Sequence, residues 1–178
     1  MNIPQAIMHL HPQANPLADF IVQDDSDGNG PYIAKWNLES PEPTEEQLQS
    51  AWEAMQPTPE QVLSQSKQSK TEELNSKCNT TILSGFKSNA LGTEHTYDFD
   101  YEAQTNLNST LNAIAAGIAT EPILWKASGM PQPHSFEQFK ALNADGLAHK
   151  NANISKYWEL KTALSEAKTE EEISSITW

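Results

Sequence analysis

Arginine is absent from the 178 residues, cysteine occurs once, and no stretch of apolar residues is long enough to cross a bilayer. Each shortage removes a class of function. Without Arg the chain lacks the planar guanidinium fork that grips phosphate at two points, and its 11 Lys are outnumbered by 24 Asp and Glu, for a formal charge of -13. Clustered positive charge drives binding to nucleic acid and to anionic membranes, so neither is expected as a partner. The single Cys78 excludes an intrachain disulfide and a Cys-rich metal site. Its four-residue spacing from Leu74 and Ile82 makes it a small core residue rather than a reactive thiol. A spanning helix needs about 20 consecutive apolar residues, and the opening MNIPQAIMHLHPQ lacks the basic stretch and apolar run of a secretion signal.

Apolar residues are also sparse, at 37% of the chain, against roughly 45 to 50% in an average globular domain. The balance is made up by Gln, Asn, Ser and Thr, which implies much solvated or partner-facing surface. The length suits one or two domains by the usual prior of about 100 to 200 residues each, and the core is expected to be divided.

What is present is a series of well-punctuated elements. Pro4 at the start of an apolar pattern of Ile3, Ile7, Met8 and Leu10 predicts a short helix ended near Pro12. Phe20-Ile21-Val22 reads as a strand, and the turn formers from Asp24 to Gly30 lead into Tyr32–Leu38, so a β-hairpin is predicted with Tyr32, Ala34, Trp36 and Leu38 on one face. Thr44-Glu45-Glu46-Gln47 is a capping box for a helix carrying Leu48, Trp52 and Met55 and ended by Pro57. A unit of this size is marginal alone.

A second start signal, Thr58-Pro59-Glu60-Gln61, opens a segment with no apolar residue from Ser64 to Glu73. Such a stretch predicts an exposed helical connector that docks only at its far end, through Leu74, Cys78 and Ile82. Short strands are predicted at Phe86–Ser88 and His95–Phe99, with an Asn89–Gly92 turn between them. A helix capped by Asp100 follows, with Leu107, Leu111, Ile114, Ala115 and Ile118 on its apolar stripe. Ile123-Leu124-Trp125 reads as a buried strand or extended segment closed by a Ser128–Pro131 turn. Ser135-Phe136-Glu137-Gln138 caps a long helix bearing Phe139, Leu142, Leu147, Ile154, Trp158 and Leu164, and Thr169 caps a last short one. Trp178 at the terminus needs a groove to hold its ring. The expected class is α+β with helices dominating: a small helix/β-hairpin/helix domain at 1–56, a polar helical linker at 57–84, and a helix-rich domain with a short sheet at 85–178.

The constellation closest to chemistry is Asp25-x-Asp27-x-Asn29-Gly30, which copies the first six positions of an EF-hand calcium loop. The loop chemistry requires a bidentate carboxylate at the twelfth position, which here is Trp36, and flanking helices where this pattern has strands. An acidic hairpin turn is therefore expected, against a calcium-dependent adhesin or hydrolase built on the loop. His9 and His11 stand two apart, which on a helix separates their side chains, and no third metal ligand is suggested. His95 beside Tyr97 and Asp98 is read as a polar strand residue rather than a proton-transfer group. Ser84-Gly85 and Ser128-Gly129 read as a helix end and a turn, not as a nucleophile's elbow. Gly28-Asn29-Gly30 lacks the strand-then-helix context of a phosphate cradle. The expectation is a protein that is not an enzyme, with no catalytic residues, no cofactor and no metal ligands.

The order Ala6-Ile7-Met8, Asp19-Phe20, Asp27 to Leu38 and Pro43 to Leu48 resembles the XkdW family of phage and prophage tail proteins, most specifically over Gly28 to Leu38. Residues of about 74 to 178, with Phe86 to Gly92, Tyr97 to Asp100 and Ile123 to Ala127, resemble a second, uncharacterised phage domain commonly encoded beside tail-fibre genes. The resemblances bring no catalytic or ligand residues. They imply a bacteriophage tail structural protein of the baseplate or tail-fibre region. Such a protein connects partners through protein-protein contacts, with tail-fibre or baseplate proteins as partners and homo-oligomers possible. The alternative is a tail-fibre assembly chaperone absent from the finished virion. Synthesis in the host cytoplasm and residence in the virion tail are the corresponding expectations.

Overall fold

A computed structural model describes all residues, 1–178. It has the element order α1 (Ile3–Leu10), β1 (Phe20–Gln23), β2 (Tyr32–Trp36), α2 (Glu45–Met55), α3 (Pro59–Leu83), β3 (Phe86–Ser88), β4 (His95–Tyr97), α4 (Tyr101–Ala115), β5 (Ile123–Ala127), β6 (Met130–His134), α5 (Phe136–Glu166) and α6 (Glu170–Ser175). The fold is α+β as expected, with the strands arranged as three separate antiparallel pairs: β1-β2, β3-β4 and β5-β6. The chain divides into two compact units, Met1–Gln61 and Val62–Trp178.

In the first unit, Asn2 caps α1 by accepting the Gln5 amide at 3.1 Å, and Ile3, Ala6 and Ile7 form its inward stripe. The Thr44 capping box holds the start of α2, with the Gln47 amide donating to Thr44 Oγ1 and Gln47 Oε1 accepting the Thr44 amide. Leu48 and Ala51 of α2 meet the α1 stripe and Phe20 to make the core. Each fully buried large apolar side chain contributes about 1.5 to 3 kcal/mol, so this unit rests on a handful of residues.

The inward face of β2 differs from the simple alternation expected. Trp36 pairs with Phe20 and Lys35 with Ile21, but Val22 pairs with Ile33, which leaves Ala34 as the extra residue of a bulge. A bulge shifts the period-two pattern by one, so Ile33, Trp36 and Leu38 pack on the core while Tyr32 and Ala34 face solvent.

In the second unit, α3 and α5 lie antiparallel. Thr81 O meets His149 Nε2 at 3.3 Å, Cys78 Sγ meets Asn153 O at 3.5 Å, and Lys67 Nζ donates to Ser165 O at 2.9 Å. Leu74, Cys78 and Ile82 are buried as expected, but the polar stretch is not docked only at its far end. Leu63 packs near Leu164, Ala167 and Ile173, and the Lys67 ammonium caps an orphan carbonyl in the last turn of α5. A lysine stem can cover apolar surface while its charge is satisfied at a helix end, so hydropathy alone misreads this stretch.

Met130 and Pro131, the end of the expected turn, instead open the return strand β6. Pro131 and Pro133 pair with Lys126 and Leu124, and they share one parity of the strand, so a ladder can form on the alternate amides of Met130, Gln132 and His134. Leu124 sits on the outer face of this hairpin and is exposed rather than buried.

On α4, Leu107 is the fully buried residue and Asp100 accepts the Ala103 amide at 2.8 Å. Ala115 and Ile118 do not join its stripe. The Ile118 amide returns to Ala113 O at 3.0 Å and the Gly117 amide to Ile114 O at 3.1 Å, with Gly117 at φ 70. This Schellman arrangement unwinds the helix and turns Ile118 out to solvent. On α5 the inward row is Phe139, Leu142, Gly146 and Leu164, and Leu147 and Trp158 lie one position off it, 56% and 63% exposed. Trp178 does find a groove in its own unit: its Nε1 donates to Thr81 Oγ1 at 3.0 Å, and Lys156 Nζ stands 4.6 Å from its ring centre. No helix is long and apolar enough to cross a membrane.

Candidate functional site

The acidic loop between β1 and β2 turns its carboxylates on itself. Asp24 Oδ1 accepts the Ser26 amide, and the two oxygens of Asp27 accept the amide and the side-chain nitrogen of Asn29, each at 2.9 Å. Asp25 accepts Gln23 Nε2 and, at 3.0 Å, the Tyr32 hydroxyl. The backbone amide of Asn29, then its side chain, hold Asp27 below the ordinary carboxylate range, and the bond to Asp25 raises the Tyr32 hydroxyl. Trp36, at the position where the calcium loop needs its closing carboxylate, instead lies tilted beside Phe20, with ring centres 6.4 Å apart, and donates Nε1 to Ser40 O at 2.7 Å. These are side-chain-to-backbone turns that shape a hairpin. Nowhere in the chain do three His, Cys, Asp or Glu side chains gather in a metal-holding cluster.

The histidines are dispersed. His11 lies edge-on to Trp36 at 5.4 Å, while His9 is exposed on α1. His95 meets Ser128 Oγ and Thr93 Oγ1, both at 3.2 Å, and Asp98 pairs with Lys126 at 2.6 Å, so the His95, Tyr97 and Asp98 trio does not converge. Cys78 is buried, and that burial pushes its thiol up from its ordinary pKa.

Sequence reasoning passed over the one buried polar pair in the molecule that joins two titratable rings. His134 is fully buried at the end of β6. Its Nδ1 lies 3.0 Å from Gln132 O, which requires the hydrogen on Nδ1, so Nε2 is the acceptor and the Tyr97 hydroxyl the donor at 3.1 Å. Burial, and then the charge of Asp145, raise the Tyr97 hydroxyl. Asp145 itself accepts Ser88 Oγ at 2.5 Å, and Ser88 Oγ accepts the Ala90 amide. The Tyr97–His134 bond ties the β3-β4 hairpin to the β5-β6 hairpin, and the Ser88–Asp145 bond separately ties β3 to α5. No signal in the sequence marked His134, because the strand that carries it was hidden by its prolines.

Two surface features remain. In the second unit, Asp98, Asp100, Glu102 and Lys126 line an open cleft of about 230 Å³ at the start of α4. Asp98 is paired there and Asp100 is occupied as the cap. Asp98, and then Asp100, raise the Lys126 ammonium. In the first unit the last turns of α1 and α2 enclose a larger open groove of about 580 Å³, lined by Gln5, Met8, His9, Trp52, Met55 and Gln56. Trp52 and Met55 are half-buried on the core beneath, and Met8 is 42% exposed.

The family model for XkdW protein matches residues 3–62, and that for Domain of unknown function (DUF4376) matches residues 65–177. Two proteins of Bacillus subtilis (strain 168) are similar to about a third of this chain. "Uncharacterized protein YqcD" is 50% identical over 58 residues, which is 33% of this chain and 52% of the relative. "Phage-like element PBSX protein XkdW" is 44% identical over 59 residues, again 33% of this chain and 52% of the relative. The chain thus spans about half the length of the curated relatives it matches. No solved structure matches. With residues 65–177, the larger part of its length, covered by one model, the chain belongs to the family described as Domain of unknown function (DUF4376), and it carries an XkdW domain N-terminal to that region.

Proposed function

We propose that this is a phage-associated structural protein of the baseplate or tail-fibre region. It acts as a non-enzymatic connector that joins other tail proteins through its surfaces, and its place is the virion tail. The observation that carries the reading is the division of labour along the chain. The XkdW model matches residues 3–62, almost coincident with the first compact unit, and about half of each of the two relatives lies outside its match to this chain. A small unit joined here to a separate companion region suits an attachment point at one end, with the companion region engaging another partner.

The chemistry supports the same view. Groups that could act on a substrate are engaged in holding the fold: Asp27 and Asp24 in turns, Asp100 in a cap, Tyr97 with His134, and Ser88 with Asp145. Tail-fibre or baseplate proteins are the partners this reading names, and further copies of the chain are compatible with it.

Quantitative mass spectrometry of purified particles tests the proposal. Peptides from both units at a fixed ratio to a known tail protein are expected. Complete absence from particles, together with recovery of the chain bound to unassembled fibre protein, would replace the connector with an assembly chaperone.

A further inference from the structure

We infer that the groove between the last turns of α1 and α2 is a docking site for a partner segment that presents an apolar side chain flanked by lysine or arginine. The floor of the groove is apolar and adaptable. Met8, Met55 and the face of Trp52 line it, and methionine and tryptophan surfaces accept a side chain without a rigid mould. Met8 is 42% exposed in a unit whose core holds few large residues, so apolar area is left open where burial would be favourable.

The charge of the surrounding unit sets the sign of the partner. Over Met1–Gln61 there are ten Asp and Glu against the single Lys35, which sits on β2, and neither α1 nor α2 carries a lysine. Glu53 lies beside Trp52, where it accepts Gln49 Nε2 at 2.7 Å. Both helices end at the groove, α1 at Leu10 and α2 at Met55, and α2 has no basic residue in its last turn. Helix C-termini carry partial negative charge that favours a nearby cation. His9 is the sole basic group in the last turn of α1. An apolar anchor entering between Met8 and Trp52 would therefore bring its flanking lysines or arginines toward Glu53 and the C-terminal ends of the two helices. This deepens the connector reading by naming the chemistry of the partner at the N-terminal end.

The test uses the full chain labelled for NMR at the tryptophan indoles and methionine methyls, titrated with a synthetic helical peptide of alternating leucine and lysine turns. A peptide with glutamate in place of lysine is the control. Saturable shifts of Trp52, Met8 and Met55 with the basic peptide, which weaken as salt rises, are expected, with no matching response to the acidic one. Met8→Lys should weaken binding about tenfold, while Leu17→Lys, which adds the same charge at an exposed residue outside the groove, should change it less than about twofold. The inference is overturned by shifts confined to the Asp24–Asp27 loop, by equal binding of both peptides, or by equal loss in the two variants. It is also overturned if the same signals move with protein concentration alone, which would give the groove to a second copy. A silent groove in a chain that is nonetheless stoichiometric in particles would refute the docking site and leave the connector reading standing.

Discussion

Replacing Gly146 by alanine sets two effects of opposite sign against each other at one atom. Gly146 is the only glycine within a helix of this chain, so propensity alone predicts that alanine stabilises α5 by about 1 kcal/mol. The structure predicts the reverse. A Cβ at this position would lie 2.9 Å from Phe99 Cε2 and 3.1 Å from Phe86 Cζ. Both rings are buried, and they stack edge to face with centres 5.0 Å apart, so neither can swing into solvent to make room. Overpacking of this kind costs about 1 to 3 kcal/mol. After the propensity gain is subtracted, the variant should be less stable by about 1 kcal/mol, a fall of about 4 °C in the melting temperature of a unit this size. Calorimetry on the full chain, with amide exchange along α5 to identify the affected transition, measures it. A higher melting temperature for Gly146→Ala would refute the packing argument and show that α5 and the aromatic cluster give way easily.

Other consequences are open to measurement. Thr44→Ala removes the hydroxyl of the α2 capping box and should destabilise the N-terminal unit by about 1 kcal/mol in urea titration, with the second unit unaffected. Trp178→Phe keeps most of the ring in its groove but loses the bond to Thr81 Oγ1, so a cost of about 1 kcal/mol is expected, together with faster amide exchange near Thr81. Burial raises the folded thiol of Cys78 above its unfolded pKa, so the native state holds more protons than the unfolded state at alkaline pH. Stability should then fall as pH rises beyond about 8.5, and Cys78→Ala should flatten the first part of that fall. The raised Tyr97 hydroxyl extends the same trend to higher pH. Reaction of Cys78 with a thiol reagent should be slow in the folded chain and rapid in urea, and rapid labelling of the native state would contradict its burial.

The sequence by itself determined the elements whose cause is local. Capping boxes at Thr44, Ser135 and Thr169, the cap at Asp100 and the turn from Asn89 to Gly92 all lie where their side chains dictate, because each satisfies a backbone group within three or four residues. It also identified Asp25 to Asn29 as turn chemistry, since the residue needed to close a calcium loop is visibly a tryptophan. Only the tertiary structure decided matters that depend on what lies across a gap. The bulge at Ala34, the pairing that makes a strand of Met130–His134, and the Lys67 bond to α5 all rest on partners distant in sequence. Which of several apolar residues on α5 face inward depends on the helices and hairpins laid against it, and this is why Gly146 is buried while Leu147 and Trp158 are not. The groove between α1 and α2 is the same kind of feature: its residues are ordinary members of two amphipathic helices, and the opening exists because those helices meet without covering Met8.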